Sequence, residues 1–179
     1  LDPLDRPSAA TRHERVVITN SLTKSHGLWD LRIGWVLGAP DRMRQIAAWD
    51  DLVCPSLPLL TASQALRYLP QAREHLLANR ARAAALTDRV EAWVTSRDDV
   101  WWTKPDAAFT GFVRLGTAER PLDGDVIARD MAAATGVRIV PGSFFQSPNW
   151  LRISYMLTDE QLSFALRALG EALDRTSAT

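Results

Sequence analysis

Residues 16–34, VVITNSLTKSHGLWDLRIG, decide how the rest of the chain is read. The stretch opens with a short β-branched run, residues 16–19. It reads as a buried strand, parallel to its neighbours, because both its faces are apolar. Residues 31–38, LRIGWVLG, read as a second strand, with Gly34 and Gly38 as breaks. Between them runs a polar, irregular loop. It carries Ser21, Thr23 and Lys24, then Gly27, with Arg32 where the second strand begins. Strand ends are where α/β folds place ligand chemistry. Hydroxyls beside a planar guanidinium fork make a phosphate site. A lysine in that setting, desolvated and flanked by another cation, gives up its proton more easily and can attack an aldehyde.

Taken singly, these residues have plainer readings. A loop lysine is a solvated charge, a strand arginine snorkels, and Ser or Thr near a turn bonds its own backbone. Taken together they point to one cofactor, since pyridoxal phosphate joins a phosphate to an aldehyde on a compact ring. The segment resembles the Schiff-base lysine motif of the class I/II (fold type I) pyridoxal-phosphate aminotransferases. That motif has a hydroxyl three before the lysine and another one before it. It then has Gly at three and six after, Arg at eight and Gly at ten. Here the positions read Ser21, Thr23, Lys24, Gly27, Asp30, Arg32 and Gly34. The departure is Asp30, where the family most often has Gly. Such a Gly permits an unusual backbone angle, which Asp is among the few other residues to tolerate. The resemblance implies that Lys24 holds the cofactor and later shuttles the substrate's α-proton. It also implies that Ser21, Thr23 and Arg32 bind the phosphate.

Further along, helices are expected from Pro40 to about Trp49, after Pro58 to about residue 69, and from Gln71 to about Trp93, with Pro70 as an interruption. The third is alanine-rich, with Leu76, Leu77, Ala84, Leu86, Val90 and Trp93 roughly on one side. Beyond Val100 the texture changes to short strands and helices: a strand over 107–115, an amphipathic helix over 123–135 stopped by Gly136, and a strand over 137–140. Residues 150–156, WLRISYM, alternate, with Leu151, Ile153 and Tyr155 facing one way and Arg152, Ser154 and Met156 the other. Thr158 and Gln161 form a capping box that opens a last helix to about Leu173.

Arg152 is the second functional candidate. A charged fork between Leu151 and Ile153 must point at something polar. A solvated sheet face would satisfy it, as would a carboxylate. In the aminotransferases an arginine from an LRIS-like strand, after a loop beginning near Pro-Gly (here Pro141-Gly142), binds the substrate α-carboxylate. Arg152 matches that position. Lower expectations attach to the rest. His26 reads as solvent-facing or capping, with a proton relay near Lys24 as the alternative. Trp101 and Trp102 read as core or interface, Trp29 and Trp35 lie close enough in sequence to line the site, and Cys54 reads as a small buried hydrophobe.

The whole-chain arithmetic narrows the function classes. In 179 residues, 21 Lys+Arg balance 21 Asp+Glu, so no broad positive field draws nucleic acid. No run approaches the roughly eighteen apolar residues that span a membrane. A single cysteine makes no internal disulfide, which suits a cytoplasmic protein. Residues 1–15 lack the order of a secretory signal, and the absence of an initial Met points to residues upstream. No metal site is expected. The fold class is α/β: residues 1–70 as part of the large domain of a fold type I enzyme (mixed sheet with helices), 71–97 as a long linking helix, and 98–179 as a small α+β domain. The resemblance covers the C-terminal half of the family. It implies an amino acid and a 2-oxo acid as substrates, and a homodimer or another partner supplying the other half. The carboxylate paired with the pyridine nitrogen, and the residue stacking on the ring, are expected outside this chain, so the chain alone is expected to be catalytically weak or dead. A non-catalytic aminotransferase-like module or sensor, or a decarboxylase, cyclase or lyase of the same fold, is the alternative. The sequence does not choose among amino acids.

Overall fold

The computed structural model describes residues 7–54, 56–106 and 109–177. Residues 1–6, and Ala107 and Ala108 at the head of the expected 107–115 strand, lie outside the described residues. The chain divides into two units, Leu1–Asn79 and Arg80–Thr179.

In the first unit, β1 (Ile18–Ser21) pairs with β2 (Gly34–Leu37). The pairing is antiparallel, from Ile18 opposite Leu37 to Ser21 opposite Gly34. This corrects the buried, parallel strand expected at 16–19. A parallel return needs a crossover of a dozen or more residues, usually helical. The connection here contains only a 3-10 turn, Trp29–Leu31. Nor is the strand buried, since Thr19 and Asn20 are exposed. Two helices follow, α1 (Pro40–Val53), opened by Pro40, and α2 (Leu59–Tyr68). Neither is covered within the unit: α1 buries no residue, α2 only Ala65, and Leu52, Leu59, Leu60 and Leu66 are exposed. Cys54 caps the end of α1 and is exposed, which corrects its expected burial. Pro70 turns the chain through a 3-10 step, Leu69–Gln71, into α3 (Ala72–Thr95), and the division between the units falls inside this helix.

The second unit is built on a four-stranded antiparallel sheet in the order β3-β4-β6-β5: β3 (Val100–Trp102), β4 (Thr110–Leu115), β6 (Trp150–Ser154) and the edge strand β5 (Val140–Pro141). The expected 137–140 strand shrinks to these two residues, because only Val140 and Pro141 find partners on β6. Alternation sorts the faces. Val100, Trp102, Val113, Leu115, Leu151 and Ile153 join one core with Leu86, Val90 and Val94 of α3, Ile127 and Met131 of α4 (Gly124–Thr135), and Leu162, Leu169 and Leu173 of α5 (Asp159–Ser177). Asp123 caps α4 by accepting from the amides of Asp125 and Val126, and Gly136 ends it at φ 74°. The amides of Thr158 and Gln161 donate to each other's side-chain oxygens at 3.1 and 3.2 Å, the reciprocal cap the sequence predicts for α5. Gly142 is required by crowding, since a Cβ there would meet the carbonyl oxygens of Ser147 and, at 2.6 Å, Trp150.

Leu151 sits at the centre of this sheet with no solvent exposure. Leu151→Ala is expected to lower the urea unfolding free energy by about 2–5 kcal/mol, the cost of a buried cavity. Ser154→Ala, on the outer face of the same strand, is expected to stay within about 0.5 kcal/mol.

Candidate functional site

The loop from Leu22 to Ile33 is closed at its neck. Ser21 pairs with Gly34, the Leu22 amide donates to the Ile33 carbonyl at 3.0 Å, and the Leu28 amide donates to Leu22 at 2.9 Å. Leu22 is the anchor, 1% exposed in a unit with few buried side chains. At Gly34 a Cβ would press on the Asn20 carbonyl at 2.8 Å, so glycine lets the strands meet there. The Ser21 hydroxyl oxygen accepts from the Thr23 amide at 3.3 Å, and a turn closed by the Gly27 amide on the Lys24 carbonyl (3.0 Å) carries the lysine outward. Ser21 and Thr23 are half-buried and Lys24 is exposed. Lys24 makes no ion pair among the described residues.

Arg32 stands at the other side of the neck, just before β2. Its backbone is left-handed (φ 52°, ψ 38°), a conformation that costs a non-glycine residue about 1–2 kcal/mol. Its guanidinium donates to the Trp29 carbonyl at 3.2 Å and meets no carboxylate among the described residues. Strain held at an exposed, unpaired arginine is the kind of outlier that points to a site. Asp30 was the position where sequence comparison expected a special backbone angle. The left-handed residue is Arg32 instead, and Asp30 lies inside the 3-10 turn. Trp29 faces solvent, while Trp35 is half-buried with its ring against His26.

His26 departs from the solvent-facing or capping role. Its Nδ1 lies 2.7 Å from the Tyr68 hydroxyl on α2, its ring meets Trp35 and Tyr68 edge-on, and burial holds its pKa below the usual imidazole value. Asn79 donates its side-chain amide to the Ser25 carbonyl at 3.1 Å. Tyr68 and Asn79 were missed by sequence reasoning. Tyr68 lies 42 residues from His26, and no local pattern links them.

In the second unit, Arg152 lies on the outer face of β6, opposite Phe112 on β4 and Val140 on β5. It is exposed, its guanidinium carbon lies 5.6 Å from the centre of the Phe145 ring, and no carboxylate pairs with it among the described residues. The same face carries an aromatic strip missed by sequence reasoning. Phe112 stacks on Trp150 with centroids 4.9 Å apart, and Trp101 meets Trp150 edge-on, while Trp102 points into the core. Period-two alternation on β3 was the signal that separates the two tryptophans. A cleft of about 330 Å³ lies beside Arg152, lined by Val137, Ile139, Ile153, Leu162 and Leu166 among others.

Residues 2–169 match the family model described as aminotransferase class I and II. Among curated relatives, a probable aspartate/prephenate aminotransferase of Aquifex aeolicus is 27% identical over 158 residues, covering 87% of this chain and 40% of its own length. Capreomycidine synthase of Streptomyces vinaceus is 26% identical, covering 96% of this chain and 43% of its own. Among solved structures, a pyridoxal-phosphate-dependent aminotransferase from Streptococcus suis superposes with a TM-score of 0.87 at 23% identity, over 96% of this chain and 45% of that one. The chain thus spans less than half the length of these relatives. Its fold is that of the matching part of these enzymes, and the chain belongs to the class I and II aminotransferase family.

Proposed function

We propose that the chain contributes the lysine and the substrate-carboxylate arginine of an enzyme that moves an amino group between an amino acid and a 2-oxo acid. Pyridoxal phosphate is the cofactor that goes with the family. The observation that carries the proposal is the loop itself. Two hydroxyls, a strained and unpaired guanidinium and a primary amine without an ion pair share one neck, at the motif's spacing. This donor set fits a phosphate with an aldehyde beside it. When bound, pyridoxal phosphate supplies that aldehyde and an electron sink for the substrate's α-carbon. Ser21 and Thr23 donate their hydroxyl protons to phosphate oxygens, and Arg32 binds the same group with its fork. Lys24 would hold the cofactor through Nζ, and the same amine would take the substrate's α-proton. Arg152 binds the α-carboxylate in two parallel hydrogen bonds, which fixes the C–H bond that breaks.

The exposed leucines of α1 and α2 support a second subunit, or the remainder of a larger enzyme, as the cover of the first unit. No helix among the described residues is long and apolar enough to cross a membrane. With the single cysteine, this supports placement in the cytoplasm. A different reaction on the same cofactor is the second reading, supported by capreomycidine synthase among the relatives.

Adding pyridoxal phosphate to the purified chain is expected to give a visible absorption band that Lys24→Ala lacks, and an equal band in the variant refutes the role of Lys24. Amino acids that convert the cofactor to its amine form while releasing a 2-oxo acid separate transfer from decarboxylation or cyclisation. Arg152→Ala is expected to weaken amino-acid binding by about 1.5–3 kcal/mol, read by titration of the band. At Arg32, glycine relieves the left-handed backbone and alanine does not. Arg32→Gly is therefore expected to fold about 0.5–1 kcal/mol more stably than Arg32→Ala, while both lose phosphate affinity.

A further inference from the structure

We propose that His26 is a positioning residue for Lys24, acting with Tyr68 and Asn79 as a clamp on the three residues that follow the lysine. The inference rests on the reading of Lys24 as the amine that takes the cofactor. Each of the three residues is tied down. The Ser25 carbonyl accepts from the Asn79 amide at 3.1 Å on α3. His26 Nδ1 shares a 2.7 Å hydrogen bond with the Tyr68 hydroxyl on α2, and Gly27 closes the turn through its amide on the Lys24 carbonyl. At Gly27, φ is 73°, and its open Cα faces the Asn79 side chain, which an added Cβ would meet at 3.7 Å. The Tyr68 ring is itself held, edge-on to His75 at 5.2 Å, and Trp35 of β2 meets the imidazole edge-on at 6.4 Å.

The lysine needs such a clamp. Lys24 is exposed and touches no carboxylate among the described residues, so nothing at its own tip fixes its direction. On the preceding side, Leu22 is pinned by burial and by two backbone hydrogen bonds. With residues 25–27 fixed on the following side, the Lys24 backbone keeps one arrangement, and its amine meets an aldehyde at a defined place rather than from a swinging loop. Pre-positioning of this kind raises the rate of bond formation without touching the reacting atoms.

The chain contains its own control, because its lysines are only Lys24 and Lys104, and Lys104 belongs to the other unit. The intact chain, His26→Ala and Tyr68→Phe are each treated with pyridoxal phosphate and then with borohydride. The amine condenses with the aldehyde, losing water, and borohydride adds hydride to the C=N carbon, leaving a secondary amine on the labelled lysine. Mass spectrometry then gives the ratio of labelling at Lys24 to that at Lys104. Both variants are expected to lower this ratio by about 3- to 10-fold, the size of one net hydrogen bond. Tyr68→Phe keeps the ring and removes only the hydroxyl, so it covers the case in which His26→Ala fails to fold. In the cofactor-free chain, amide hydrogen exchange at residues 23–27 is expected to speed up by a similar factor in both variants. An unchanged labelling ratio overturns the proposal even if exchange quickens, and so does unchanged exchange. A wild-type chain that labels Lys24 no better than Lys104 overturns the reading of Lys24 itself. Preferential labelling that survives in both variants overturns only the clamp.

Discussion

The antiparallel closure of β1 on β2 is the constraint on which the lysine loop depends. Pairing Ser21 with Gly34 brings the two ends of the Leu22–Ile33 segment together. Closing a flexible loop of this length costs entropy that grows only slowly with length, so the neck need not be large to hold it. What it must do is keep one register. A slip of one residue would turn every β2 side chain to the other face. Leu22 opposes that slip, because it is the one residue of the loop fully withdrawn from water. Gly34 opposes it too, since no side chain fits against the Asn20 carbonyl at that position.

The second unit meets a different requirement, a charge kept on a sheet without burying it. The sheet has one dry face, and period-two alternation on β6 sends Leu151 and Ile153 into it and Arg152 out of it. Burying the guanidinium would cost several kcal/mol unless a carboxylate came with it. On the outer face it is supported by the Phe145 ring instead, a contact that leaves its donors open. Arg97 shows the opposite use of the same side chain. It bonds both oxygens of Asp99 at 2.7 and 2.8 Å and Asp174 of α5 at 2.6 Å, so its fork is already occupied.

The sequence was most readable where the signal is local. The reciprocal Thr158–Gln161 cap, the Asp123 cap with Gly136 at the far end of α4, and the alternation of Leu151, Arg152 and Ile153 are each fixed by residues within a few positions of one another. The spacing from Ser21 to Gly34 was readable for the same reason. Long-range pairing was not. The parallel expectation for residues 16–19 came from their apolar β-branched run, but strand direction is decided by the connection, and a 3-10 turn cannot carry a crossover. The burial expected for Cys54 failed because α1 has no covered face in this unit, a property of what surrounds a helix rather than of its composition. His26 and Tyr68 meet only through the return of α2, and the left-handed backbone fell on Arg32, which β2 follows, rather than on Asp30, where the resemblance suggested it.

The scarcity of lysine acquires a physical meaning from the contrast between its two copies. Arginine is favoured wherever a fork must grip an anion, and this chain uses it almost everywhere else. A guanidinium, however, stays protonated at working pH and offers no free amine to an aldehyde. Lys104 is spent on an ion pair: its Nζ lies 2.8 Å from Asp88, and the hydrogen bond to that carboxylate raises its pKa further from neutrality. Losing its proton means losing that partner. Lys24 has no such partner among the described residues. Of the two lysines the chain possesses, the one placed in the loop of hydroxyls is therefore also the one whose amine no carboxylate holds among the described residues.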